Sequence, residues 1–134
     1  MKRLMKIFFP VLAIIVFCSL SASAEMVRCA QCGMGADLGS KFTARIVNPK
    51  QTLHFCDIGD LFAYLKKAPV ANAEAHVRDY RSGDWINAHQ AAYVQSAKKF
   101  QTPMGWSIAA FKNKPEAAEF GSTLDFDAMM KSLR

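Results

Sequence analysis

Cys29-Ala-Gln-Cys32-Gly-Met34 places two thiols and a thioether within six residues, inside a glycine-rich turn (Gly33 to Asp37) without helical periodicity. This stretch constrains the chain more than any other. Two thiols three positions apart grip one metal ion, close a disulfide or run thiol–disulfide exchange. Exchange usually needs the first cysteine at a helix N-terminus, where the dipole lowers its pKa, and that support is missing here. A stabilising disulfide stays open. Thiolate and thioether sulfur are soft ligands that select Cu(I) over Mg²⁺ or Ca²⁺, so the expected cofactor is Cu(I).

The residues before this stretch read as an export signal. Lys2, Arg3 and Lys6 precede an apolar run from Ile7 to Leu20, and Ala22-Ser23-Ala24 supplies the small-residue cleavage pattern. The expected signal peptide is 1–24, released through the general secretory route, with a periplasmic mature domain at 25–134. The run is interrupted by Pro10 and is shorter than the roughly 20 residues a spanning helix needs. An uncleaved anchor is the alternative, and the only expected membrane contact. Lipid attachment at Cys18 is disfavoured by the bulky Val16-Phe17 before it. On cleavage the net charge falls from +6 to +3, since three of the 17 basic residues leave with the signal and none of the 11 acids does. That balance is too mild to argue for nucleic acid. Cys29, Cys32 and Cys56 remain, an odd number, so at least one thiol lacks an intramolecular partner.

Residues 41–47 and 51–56 alternate apolar and polar side chains around Asn48-Pro49-Lys50, predicting a hairpin. Asp57 is a good N-cap for a helix carrying Leu61, Phe62, Tyr64 and Leu65, ending at Lys66-Lys67 before Pro69. A second strand pair is expected at 75–80 and 85–87 across Ser82-Gly83, a strand at 108–111, and a short helix at 115–120. Residues 91–97 fit strand or helix. Thr123-Leu124-Asp125-Phe126 echoes Thr52-Leu53-His54-Phe55 at nearly the same interval after Met104 as after Met34. This spacing suggests an internal duplication, with possible lobes 25–70 and 71–134 and the two methionines in related places.

The candidate metal ligands are Cys29, Cys32, Met34, Met104, His54 and Cys56. Met34 lies between two glycines, and Met104 between Pro103 and Gly105, so each is presented at a turn. His54 and Cys56, at i and i+2 on a predicted strand, point to one face. With Cys29 and Cys32 they would form a Cys₃His set suited to structural zinc. His76 and His89 read as ordinary polar residues. Asp57, Asp60, Asp79 and Asp84 read as caps and turn formers. No hydrolase triad, phosphate loop or nucleotide fingerprint is present.

Cys32-Gly33-Met34, the hairpin with Phe55–Leu65, Asp79 with Trp85-Ile86-Asn87-Ala88, and Thr102-Pro103-Met104-Gly105 before Ala109-Ala110-Phe111 occur in an order that resembles the NosL family, the accessory proteins of nitrous oxide reductase. The resemblance covers nearly all of 25–134. It implies an α+β fold, one compact unit of two similar small β-β-α-β lobes, and a copper-binding metallochaperone rather than an enzyme. It implies Cys32, Met34 and Met104 as leading ligands and a client copper enzyme or copper-delivery complex as partner. Cys56 stands where an acidic residue is usual, so the site is expected to differ in detail. A thiol–disulfide oxidoreductase using Cys29 and Cys32, and a structural zinc domain, are the other readings.

Overall fold

The structure, a computed structural model, describes residues 26–70 and 73–133. The expected signal peptide and its cleavage point lie outside them. No described helix is long and apolar enough to cross a membrane.

The thiol loop is carried by a short hairpin: β1 (Met26–Arg28) runs antiparallel to β2 (Gly35–Asp37), with Val27 opposite Ala36. The predicted hairpin follows as β3 (Ala44–Val47) and β4 (Thr52–Phe55). Its turn is closed by Asn48 Oδ1, which accepts the Lys50 and Gln51 N–H groups at 3.0 and 2.9 Å. Asp57 then caps α1 (Ile58–Lys67), which buries Leu61 and Phe62.

The second half repeats the order: β5 (Glu74–Arg78), β6 (Trp85–Asn87), β7 (Ala92–Gln95), β8 (Ile108–Phe111), α2 (Lys114–Ala118) and a closing α3 (Phe126–Ser132). The chain at 91–97 is therefore strand. The halves join where β3 pairs with β5, giving a four-stranded sheet of order β4-β3-β5-β6. Alternation along its strands sends Ala44, Ile46, Ala75 and Val77 into the core. The other face carries His54, Arg45 and His76 in one row, with Trp85 against the guanidinium groups of Arg45 and Arg78 at 4.3 and 4.0 Å.

The backbone pattern of the first half recurs in the second, in a register other than the one the methionines suggest. Val27-Arg28 and Gly33 recur as Val77-Arg78 and Gly83. In the first copy the Cys29 N–H donates to Met34 C=O, Gly33 N–H to Cys29 C=O, and Ala30 N–H to His54 C=O. In the second the Asp79 N–H donates to Asp84 C=O, Gly83 N–H to Asp79 C=O, and Tyr80 N–H to Ala110 C=O. Arg28 and Arg78 each reach back to the carbonyl of their loop glycine. Gly33 and Gly83 share a left-handed backbone, φ +77° and +79°, which reverses the chain at the same point and which L side chains rarely adopt.

The partner of Met34 is thus Asp84, and the partner of β4 is β8, not Thr123–Phe126. Asp125 explains the difference: its carboxylate accepts the Ala128 N–H at 2.8 Å and caps α3, so the extended segment turns into helix. The long insertion between β7 and β8, which carries Met104 and Trp106, stands where the first copy has only the tight turn at Asn48.

Two measurements test this frame. Leu61→Ala should cost about 2–5 kcal/mol, read in urea as a lower midpoint with an unchanged slope. Asp79 is buried; burial pushes its carboxyl up, but hydrogen bonds from the Ser82 N–H and hydroxyl and the Lys112 N–H outweigh it and hold it below its ordinary value. Its contribution is therefore present above the ordinary Asp range and lost as pH falls through the depressed folded value. Asp79→Asn should cost about 1–3 kcal/mol near pH 7, and the gap to the parent should narrow in acid-titrated denaturation curves.

Candidate metal centre

Three separate segments bring the thiols together. The parallel bridge between Cys29 and His54 lays the thiol loop beside the end of β4, one turn of chain before Cys56. Cys56 and Asp60 stand at i and i+4 across the start of α1, so they share a face. The result is a cluster in which one ligand atom from each of Cys29, Cys32, Cys56 and Asp60 lies within 4.8 Å of all the others. Asp60 Oδ2 accepts from the Cys29 and Cys56 thiols at 3.4 Å each, and the Cys32 and Cys56 sulfurs are also 3.4 Å apart. The three cysteines among the described residues are free thiols, so the disulfide alternative does not describe this structure. Cys29 and Cys56 are each 2% exposed, and Cys32 is half-buried.

Burial governs the electrostatics. It pushes the Cys56 thiol far up and raises Cys32 as well, where a hydrogen bond with the Met34 backbone opposes it. Buried Asp57 is likewise raised, against hydrogen bonds from Thr102, the Gly59 N–H and the Met104 N–H. Metal binding to such a site must expel thiol protons, which makes affinity rise with pH.

The loop between β7 and β8 closes over the start of α1. The Met104 N–H donates to Asp57 Oδ2 at 3.0 Å, and the Trp106 indole N–H to Asp60 Oδ1 at 2.8 Å. The indole rests directly on Gly59: a Cβ there would come within 2.0 Å of the ring. Met34 and Met104 are 51% and 40% exposed; Met34 follows Cys32 by two residues, and the Met104 backbone is tied to Asp57.

The NosL family profile matches residues 21–131. The chain belongs to the NosL family. Among solved structures, the copper chaperone NosL from Shewanella denitrificans is similar in fold, with a TM-score of 0.63 and 24% sequence identity over 75% of this chain and 87% of that one. No curated protein gives a significant match. The NosL-like α+β architecture expected from the sequence is therefore shown.

Of the expected ligands, Cys29, Cys32 and Cys56 meet in this cluster together with Asp60, while His54 lies on β4 outside it. The i, i+2 argument fails because β4 ends at Phe55 and Cys56 already lies in the bend before α1. Asp60, read as an ordinary helix-start acid, was findable from its four-residue spacing to Cys56. Trp106 left no such signal, since its contact with Asp60 spans 46 residues.

Gly59→Ala should displace the indole, cost about 1–3 kcal/mol as overpacking does, and red-shift tryptophan emission. Measured in a Trp85→Phe background, an unshifted spectrum would show that the ring does not sit on Gly59.

Proposed function

We propose that this chain is a Cu(I)-binding metallochaperone. The observation that supports it most is the convergence of three free thiols on one buried carboxylate. Soft sulfur donors suit Cu(I), and neutral thioethers add little to a zinc site. Cys29, Cys32 and Cys56 hold the ion as thiolates, with Met34 and Met104 as rim ligands that an incoming partner replaces one at a time. The structural neighbour described as a copper chaperone agrees with this reading. Export to the periplasm and delivery to a client such as nitrous oxide reductase complete the proposal.

One observation favours a second reading. A carboxylate completes the cluster, and Cys₃Asp is a four-ligand set that Zn²⁺ accepts in tetrahedral geometry. Thiol–disulfide exchange fits less well, because Cys29 is buried beside a third thiol.

Competition against a Cu(I) chelator separates these. Met34→Leu and Met104→Leu should each weaken Cu(I) binding by about tenfold, or ~1.4 kcal/mol, while leaving Zn²⁺ affinity unchanged. Cys56→Ser should weaken both metals. If the methionine variants bind Cu(I) like the parent and Asp60→Asn abolishes Zn²⁺ binding, the zinc reading replaces the copper one. Native mass spectrometry of protein recovered by osmotic shock tests the location and the resident metal together.

A further inference from the structure

The sheet β4-β3-β5-β6 packs one face into the core and leaves the other open: Arg45, His54, His76, Arg78, Trp85 and Asn87 share that outer face, and none of them is fully buried. Arg45 stands opposite both His54 and His76, and Arg78 opposite Trp85. The Trp85 ring takes both guanidinium groups against it, Arg45 at 4.3 Å and Arg78 at 4.0 Å.

The positive charge of this face is not answered from within the chain. Among the described residues, neither guanidinium forms an ion pair with a carboxylate. Arg78 spends its two terminal nitrogens on backbone carbonyls, donating to Gly83 at 2.8 Å and to Leu38 at 2.6 Å. Arg45 rests on the indole, and its Nε is buried without a hydrogen-bond partner. Glu74, the carboxylate on the same strand as Arg78, lies 3.8 Å from His76 Nε2 instead. Burial, and after it the charge of Arg45, hold Arg78 below its ordinary value, with Asp84 opposing. Two like charges on one ring, one of them with an unpaired buried donor, cost free energy until an anion joins them.

We infer that this face is the docking site for an acidic segment of a partner protein, with Arg45 receiving a side-chain carboxylate. A guanidinium fork matches a carboxylate through two parallel hydrogen bonds, and stacking on the ring holds that fork in place beforehand. A lipid-binding patch takes roughly four to eight Lys/Arg; this face offers two arginines, and its strands hold no lysine. The face also borders the thiol loop. The Ala30 N–H donates to His54 C=O, and Arg78 holds the Leu38 carbonyl just past β2. A partner seated there adjoins the hairpin whose loop carries Cys29 and Cys32. The inference goes beyond the Cu(I) reading and holds whichever metal the thiols take.

The test is titration of the full chain with a synthetic hexaglutamate peptide, followed by calorimetry and by Trp85 emission, with Trp85→Phe as the spectral control. The parent should bind the peptide, more weakly as salt is raised, and should not bind hexalysine. Arg45→Gln should weaken binding at least tenfold. Arg45→Lys, which keeps the charge but loses the planar fork, should weaken it severalfold and covers the case in which the first variant misfolds. Variants with parental far-ultraviolet dichroism that bind the peptide like the parent would overturn the proposal. So would displacement of the peptide by phosphatidylglycerol vesicles or by equimolar inorganic phosphate, which would make the face a lipid or small-anion site. A parent that binds no Cu(I) yet keeps arginine-dependent peptide binding would overturn the copper reading and support this one, so the two failures are distinguishable.

Discussion

A buried carboxylate needs partners, and the site is arranged around that need at Asp60. Burying an unsatisfied charged group costs several kcal/mol in practice, so its oxygens must be answered from within the protein. One oxygen takes the thiols of Cys29 and Cys56, and the other takes the indole of Trp106. Those three residues come from the first loop, the end of β4 and the insertion between β7 and β8. A single helix-start acid thus ties together segments that no local signal relates. Asp57 acts in the same sense one turn earlier, capping the helix with one oxygen and holding the Met104 backbone with the other.

The duplication shows how much of this arrangement belongs to the backbone. A reversed loop, a parallel bridge to the next hairpin and a capped helix recur in both halves whatever side chains they carry. In one half the loop and helix bring three thiols to one carboxylate, and in the other Ser82 meets Asp79 and Lys112 meets Glu116 as separate pairs. The chemistry is a matter of four residues, the geometry a matter of the repeat. The extended loop between β7 and β8 breaks the equivalence, for it lets one half cover the other half's site.

Local rules made much of the fold legible. Asp57, Asn48 and the alternation of residues 41–56 specify the hairpin and helix through turn chemistry, capping and period two, all short-range effects. The three-residue strands β1 and β2 escaped because a glycine-rich loop hides so short an alternation. The register of the repeat was misread because the two methionines and the Thr-Leu-x-Phe echoes were more conspicuous than Val27-Arg28 and Val77-Arg78. In the site, the three cysteines that the structure brings together were legible as candidate ligands in the sequence. Asp60 was passed over although its spacing to Cys56 carried the signal, and Trp106 was not legible because its contact with Asp60 is set by long-range packing.

The uneven burial of the three thiols gives the centre a direction. Cys29 and Cys56 are sealed against the core, while Cys32 stands at the boundary with solvent. Anything arriving from outside therefore meets the Cys32 sulfur before the other two. The centre has a front and a back.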